Sequence, residues 1–407
     1  MVYTLLGSLI IEGLETCGTF AIFQFNMLTK TFSSTVLKYG KLFTASMWLI
    51  STLIYLSIHG VVTELEAAKY IDEAHLYIIS GSFSAPRFYF YSATIFIMVL
   101  AIKINIGMFG AFVIQALLNL FAFIIFYKAL TKLFQSSFTP ILIIFYLLVF
   151  SPYQSWVVFL YTESVFFSAI LILISVLIQY KPDNLKNILL IILALLFTLI
   201  ARPLGILFCL GVYLYFFYHA KKKWKIIIAC CAVFMIMLGY FFINNVFLSI
   251  HDWRITQAFE EESIICDLPA ALPYQQLDLS KTGSPVYQLW YYLTHNFSHF
   301  LQFAGIKIQY FFLMTRNYYS SIHNFFLLVN IIPVYLLGIC SFFIKKQLFS
   351  KGIIIFSVSS ILIYAVTIIL QCDDYHNRFI LSIYPLFVLL AARTAENFCL
   401  LAFKDNK

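Results

Sequence analysis

Charge is scarce in this sequence: Lys, Arg, Asp and Glu together make up 11% of 407 residues, against about a quarter in an ordinary soluble domain. A water-facing surface cannot be built from so few. Nucleotide and hydrolase signatures are missing too. No Gly-rich phosphate loop, no GxGxxG opening a helix, no HExxH and no GxSxG occurs, which removes sequence support for ATP-driven transport, dinucleotide chemistry, zinc proteolysis and hydrolase triads. The eight cysteines form no CxxC pair and mostly fall inside apolar runs, where cysteine acts as a small hydrophobe. Cys266 and Cys372 are the exceptions, both outside a span on one side, where a disulfide could join them. Met1–Phe25 lacks a basic start and carries Glu12 and Glu15 within its apolar stretch, unlike a signal peptide. No repeat and no inverted-half symmetry is visible, which lowers the case for a transporter.

What is present in quantity is apolar side chain. Hydrophobic residues reach 62% and mean hydropathy is +0.92, spread along nearly the whole chain rather than gathered in one anchor. A span needs about 20 apolar residues. Counting such runs from Leu42–Val61 to Phe379–Phe403 predicts an all-α polytopic transmembrane bundle of about 10–12 spans. The domain reading is a leader over 1–41, interfacial in character, a membrane domain over 42–403 and a short cytoplasmic tail over 404–407. Phe297–Leu313 is ambiguous; it could cross, dip or lie flat. The parity of basic loops between Leu42 and Lys221 does not close, so Thr139–Phe150 or Leu204–Tyr218 is expected to re-enter or to pair with its neighbour.

The formal net charge of +8 does not point to nucleic acid, because the basic residues sit in short loops between apolar runs. Lys30, Lys38 and Lys41, then Lys221, Lys222, Lys223 and Lys225, then Lys345, Lys346 and Lys351 mark cytoplasmic segments. The Lys221–Lys225 run has contact with anionic lipid as a second reading. Two long polar loops, 62–87 and 251–298, fall on the opposite, outward side together with Asp373–Arg378. The site is therefore sought on that outer face.

Four constellations carry candidate chemistry. In the first outer loop, Glu66, Lys69, Tyr70, Glu73, Ala74 and Tyr77 recur at helical spacing, which predicts an amphipathic helix on the membrane surface. A carboxylate there can meet a lipid headgroup and accept a hydroxyl proton; Glu64, Glu66, Asp72 and Glu73 would alternatively only solvate the helix. Glu163 opens a long apolar helix in Tyr161-Thr-Glu-Ser-Val-Phe-Phe, where it either faces a polar cavity or serves the helix start. Arg202 interrupts two apolar stretches just before Pro203 and could grip a phosphate as a fork or snorkel to headgroups. Asp373, Asp374, His376 and Arg378 crowd the mouth of the last span as a binding rim, with His376 able to assist proton transfer. Their spacing matches no metal motif, so no metal site is expected.

These pieces, in this order, resemble the C-type (GT-C) polytopic glycosyltransferases, the superfamily of dolichyl-phosphate-mannose-protein mannosyltransferases and aminoarabinose transferases. The likeness runs from about Leu42 to Ala392. Glu66-Ala-Ala-Lys-Tyr70 with Ala74 and Gly81 is similar to the first outer loop of that family. Ser151-Pro with Tyr161-Thr-Glu-Ser-Val-Phe looks like its proline turn and Thr-Glu-Ser helix start, and Ala201-Arg-Pro-Leu-Gly like its Thr-Arg-Pro-x-Gly element. Asn377-Arg-Phe-Ile-Leu-Ser-Ile-Tyr-Pro385 leading to Leu389-Leu-Ala-Ala392 is similar to its Arg-Tyr-x-x-Pro ending. The chain departs from the pattern in carrying Glu66 where Asp is usual, with Asp72 as a rival further on, in Phe379 after Arg, and in lacking the first late proline.

The resemblance implies sugar transfer from a polyprenyl-phosphate donor to a hydroxyl of a glycan, lipid or protein acceptor, with membrane lipid as the surroundings and no cofactor. Under it Glu66 or Asp72 is the general base, Arg202 and Arg378 stabilise the leaving phosphate, and Glu163 and Asp374 position hydroxyls. Tyr70, Asp373 and His376 fall within the substrate-binding set. The expected location is a bacterial inner or plasma membrane with the active face outward. A flippase or polymerase of lipid-linked glycans is the alternative in another class, and a structural membrane subunit is the plainest reading.

Overall fold

A computed structural model describes residues 39–181, 184–249, 255–265, 276–280, 282–344, 351–373 and 375–402. The leader up to residue 38, Cys266, Asp374, the 404–407 tail and part of the 251–298 loop lie outside the described residues. Those described are all-helical, with two isolated parallel bridges and no strand.

In chain order the helices are α1 (Tyr39–His59), α2 (Glu66–Ser80), α3 (Ser92–Lys103), α4 (Gly107–Leu133), α5 (Phe138–Val149) and α6 (Ser151–Gln154). They continue as α7 (Thr162–Ile178), α8 (Leu185–Ala201), α9 (Phe208–His219), α10 (Lys222–Ser249), α11 (Gln257–Glu260) and α12 (Pro285–His295). The chain ends with α13 (Phe297–Leu313), α14 (Ser321–Cys340), α15 (Lys351–Leu370) and α16 (Arg378–Ala402). Among the described residues six stretches are long and apolar enough to cross a membrane: Tyr39–His59, Gly107–Leu133, Lys222–Phe241, Ser321–Phe343, Lys351–Leu370 and Arg378–Asn397. This is consistent with a multi-pass membrane protein. Thr162–Ile178, Leu185–Ala201 and Pro203–His219 are shorter apolar helices.

Apolar residues face both ways in this bundle. On α7 nearly every side chain from Thr162 to Leu177 is buried, because α4, α8 and α16 pack around it. By contrast Leu42, Leu49, Ile50 and Leu53 of α1 are more than half uncovered. An apolar patch of that size is a liability in water and an ordinary surface in lipid.

Two breaks shape the functional end. The first is the expected irregularity at Thr139–Phe150: α5 and the segment Ser151–Val158 meet at 72°, at Pro152, which suits a helix start and not its interior. The loop after α1 is tied onto this elbow, since the Val62 N–H donates to Val158 O (3.0 Å) and the Leu160 N–H to Val62 O (3.1 Å). Gln115 of α4 caps the same elbow, donating to Val157 O (3.1 Å) and Phe159 O (2.8 Å). Below it, Trp48 Nε1 and Gln154 Nε2 both donate to Asn119 Oδ1, while Asn119 Nδ2 donates to Ser168 Oγ, so buried polar groups fix α1, α4, α6 and α7 in one register.

The second break is Arg202-Pro203, after which a 3-10 turn (Pro203–Leu207) runs into α9. A Cβ on Gly205 would lie 2.3 Å from Thr198 O, so only glycine lets this turn fold back on the end of α8. Gly205→Ala is expected to cost about 1–3 kcal/mol as an overpacked site. It should show as a lowered midpoint in thermal unfolding of the purified chain; an unchanged midpoint would mean that the turn can open at no cost.

Candidate functional site

Four helix ends meet, each bringing one charge. Glu66 begins α2, Glu163 stands in the first turn of α7, Arg202 caps the end of α8 and Arg378 begins α16. Arg378 Nη1 pairs with Glu66 and also reaches Glu163 Oε1 at 3.2 Å, and Arg202 Nη1 pairs with that same Glu163 oxygen. The Tyr70 hydroxyl, one turn along α2, donates to Glu66 Oε1 at 2.9 Å. Two carboxylates and two guanidiniums thus share one buried network in which Arg378 is common to both acids. Burial differs across it: the Glu163 side chain is 0% exposed and that of Glu66 is 25% exposed, so Glu66 is the acid that a molecule arriving from outside meets first. Trp156 and Tyr161 lie against the Arg378 guanidinium, 5.2 and 5.5 Å from ring centre to Cζ, and Phe379 lies 5.9 Å from Arg202.

The local backbone is costly where it delivers these groups. Leu65, directly before Glu66, has φ 57°, and His376 and Asn377, directly before Arg378, have φ 61° and 60°. Non-glycine residues in the left-handed region cost of order 1–3 kcal/mol each and collect at functional sites. Arg378 also sits at the positive end of its helix dipole, whereas Glu66 and Glu163 occupy the favourable sense. The Asn377 amide donates to Met314 O (2.8 Å), and Met314 is itself left-handed at φ 58°. The turn is thus held from two sides.

Burial alone would raise the carboxyl of Glu66. The charge and hydrogen bond of Arg378 outweigh it and, with Arg202 and the Tyr70 hydroxyl, hold the carboxyl below its ordinary value. Burial, then the carboxylates of Glu66 and Glu163, push the Tyr70 hydroxyl up, so it stays a donor. Glu163 Oε2 is buried without a hydrogen-bond partner, a state that buried carboxylate oxygens seldom show.

The other residues singled out in the sequence go elsewhere. Asp72 is exposed on the face of α2 away from Glu66, as six residues of helical rotation require. Its neighbour Glu73 is buried and accepts from Ser84 N (2.5 Å) and Oγ (2.6 Å), closing the loop after α2. Asp373 is buried in an ion pair with Arg316 (2.6 Å) and its N–H donates to Ile264 O (2.8 Å), which ties the outer segment to the head of α16. His376 is exposed and faces Trp156 across 6.3 Å. Cys372 is disulfide-bonded.

Sequence reasoning did not single out Arg316, whose signal was a lone Arg at the end of an apolar run. It also missed a cavity of about 570 Å³ beside the cluster, lined by Tyr55, His59, Trp156, Tyr319, His323 and His376 among others. Its residues come from four separate segments of the chain, so no local motif announces it. Among the described residues no three His, Cys, Asp or Glu side chains are grouped as metal ligands, the cavity histidines included. No family model matches the chain, and no curated protein or solved structure is significantly similar to it.

Proposed function

We propose that this chain is a membrane glycosyltransferase of the C type, which moves a sugar from a polyprenyl-phosphate donor to an acceptor hydroxyl. The observation that carries the reading is the sharing of Arg378 between Glu66 and Glu163, with Arg202 closing the network. Empty, the network among the described residues sets two carboxylates against two guanidiniums. A donor phosphate adds negative charge, draws the guanidiniums toward itself and raises the proton affinity of the carboxylate they leave. Glu66 is thereby turned from a neutralised ion-pair partner into a base when, and only when, the donor is seated.

The step then balances. The acceptor oxygen forms a bond to the anomeric carbon, the bond from that carbon to the phosphate oxygen breaks, and its electron pair leaves on polyprenyl phosphate. The acceptor proton passes to Glu66. Arg202 and Arg378 oppose the charge that develops on the phosphate, in a site where low dielectric strengthens the attraction. Glu163 Oε2, which lacks a hydrogen-bond partner, accepts from a sugar hydroxyl once the donor has drawn the guanidiniums aside. The adjoining aromatic and imidazole-lined cavity has the character of an acceptor seat, with flat apolar rings beside hydrogen-bonding groups.

The wider architecture supports the same reading. Among the described residues six helices, or seven with the bent α5–α6 pair, are long and apolar enough to cross a membrane, and three shorter apolar helices accompany them, as a polytopic bundle of this kind would have. Disulfides persist in oxidising compartments, and Cys372 stands six positions before Arg378, which favours an outward-facing site. No single outer loop rich in Arg and His, as expected of a polymerase, accompanies the cluster.

The test is transfer of radiolabelled sugar by the purified full-length chain from a panel of polyprenyl-phosphate sugars, with mixed glycan, lipid and protein acceptors. Label is expected to move from one donor class only. Movement of intact donor across a vesicle bilayer without transfer would replace the enzyme with a flippase.

A further inference from the structure

A second cavity lies at the far end of the bundle from the charge cluster. Glu163 and Arg202 mark one end of α7 and α8; Tyr180 and Leu185, at the other end, line a groove of about 690 Å³. The 17 residues of α8 put roughly 25 Å between the two sites. The remaining walls are Ile188 of α8, Tyr213, Phe216 and His219 of α9, and Lys221, Trp224 and Ile228 at the start of α10. The Tyr213 hydroxyl of α9 donates to Ile228 O of α10 (3.2 Å), and the groove opens between α8, α9 and α10.

The lining is apolar with a basic rim and, among the described residues, no carboxylate. Lys221 contributes to the wall, and Lys222, Lys223 and Lys225 follow it on the first turn of α10. Lys223 Nζ lies 5.8 Å from the ring centre of Trp224, and Lys225 Nζ lies 5.5 Å from that of Phe217. Lys181 and Lys186 are exposed on the α7–α8 side. From the groove two apolar tracks run toward the middle of the bundle. Leu185, Leu189, Leu193 and Leu196 form one stripe of uncovered side chains along α8, and Ile227, Phe234 and Phe241 are uncovered on α10. Basic mouth, aromatic collar and apolar tracks form the negative image of an amphiphile with an anionic head.

We infer that this groove is a binding site for an anionic phospholipid of the leaflet opposite the catalytic cluster, with its phosphate at Lys221 and the following lysines and its acyl chains along α8 and α10. Phosphatidylglycerol fits on charge, because each lysine near the surface favours an anionic head by about fivefold, while a zwitterionic head gains nothing from the rim. Trp224 serves as the interfacial anchor, a position that suits an amphipathic ring. The assignment is independent of the sugar-transfer reading, since it uses none of the same residues and can hold if that reading fails.

Trp224 also provides the probe. The full chain in detergent micelles is titrated with phosphatidylglycerol or phosphatidylcholine brominated on the acyl chains, and quenching is read as the difference between the wild type and Trp224→Phe. Phosphatidylglycerol is expected to quench at about fivefold lower mole fraction or less. Lys221→Gln should remove about that factor, and 1 M salt should shrink it in the unaltered chain. Ile188→Phe, which fills the groove without changing charge, should release both lipids. Equal quenching by the two lipids would reduce the groove to an unselective part of the lipid annulus. A preference that survives both Lys221→Gln and 1 M salt, or displacement of phosphatidylglycerol by equimolar polyprenyl phosphate, would also overturn the assignment.

Discussion

Glu66→Gln is expected to lower kcat for sugar transfer by about 10²–10⁴-fold, the usual worth of a positioned general base, with KM for the donor changed far less. Gln keeps the length of Glu66 and an oxygen for the Tyr70 hydroxyl, but it cannot take up a proton and cannot pair with Arg378 as a charge. Folding should survive because α2 is seated by other groups. Ala67, Tyr70 and Ala74 are buried, and Glu73 holds Ser84 at two atoms. Asp72→Asn is the internal control: the side chain is exposed, and transfer should stay within a factor of about two, the effect of an ordinary surface change. Full transfer by Glu66→Gln together with loss in Asp72→Asn would move the base to Asp72.

The same experiment run against pH has a defined sign. In the empty site Arg378 and Arg202 hold the Glu66 carboxyl below its ordinary range, so the ion pair contributes stability above the unfolded glutamate value, near 4.3. That contribution is lost as pH falls through the lower folded value. The acid limb of kcat/KM reports the free chain and is expected below that ordinary value. The limb of kcat reports the complex, in which the donor phosphate competes for the guanidiniums, and is expected at higher pH. Coincident limbs would mean that the donor leaves the ion pairs of Glu66 untouched, and the activation by donor described above would fall.

Much of this cluster was legible in the sequence, for one physical reason: in a chain with so few charges, each one placed against an apolar run is costly, and Glu66, Glu163, Arg202 and Arg378 all stand at such places. Their meeting was not legible. Arg378 and Glu66 are 312 positions apart, and it takes the packing of α2 on α3, and of α7 among α4, α8 and α16, to bring the helix ends together. Asp373 shows the limit from the other side, being five residues from Arg378 in the sequence yet turned toward Arg316. The all-helical architecture followed from composition, and the elbow at Pro152 from the short apolar run before it. The number of crossings did not, because hydropathy alone does not separate a full span from a 17-residue apolar helix such as α7 or α8. Helix α2 was legible from its spacing, but which of Glu66 and Asp72 faces inward depends on where α2 docks, and that is set by Tyr70 and Ala74.

Arg378→Gln is expected to destabilise the chain more than loss of the base does, because it withdraws a cation that pairs with both carboxylates. Of the two described guanidiniums only Arg202 would then stand against Glu66 and the fully buried Glu163, and breaking a buried ion pair from one side costs about 3–5 kcal/mol. The acid limb of kcat/KM should rise, since the charge that holds Glu66 ionised is gone, and the phosphate would lose one of its two counter-charges, about 10²–10³-fold in kcat. Arg378→Lys should recover part of the stability and little of the transfer: an ammonium is a single point charge and cannot address two carboxylates as a fork does. Pairing the two changes separates structure from chemistry. If the cluster is an electrostatic unit, Glu66→Gln/Arg378→Gln should be more stable than Arg378→Gln alone, because removing the second charge relieves the excess left by the first. Thermal unfolding in detergent reads that coupling directly. Additive losses would show that Arg378 holds the head of α16 through Trp156 and Tyr161 rather than through the acids, and its role in neutralising the leaving phosphate would then have no structural basis.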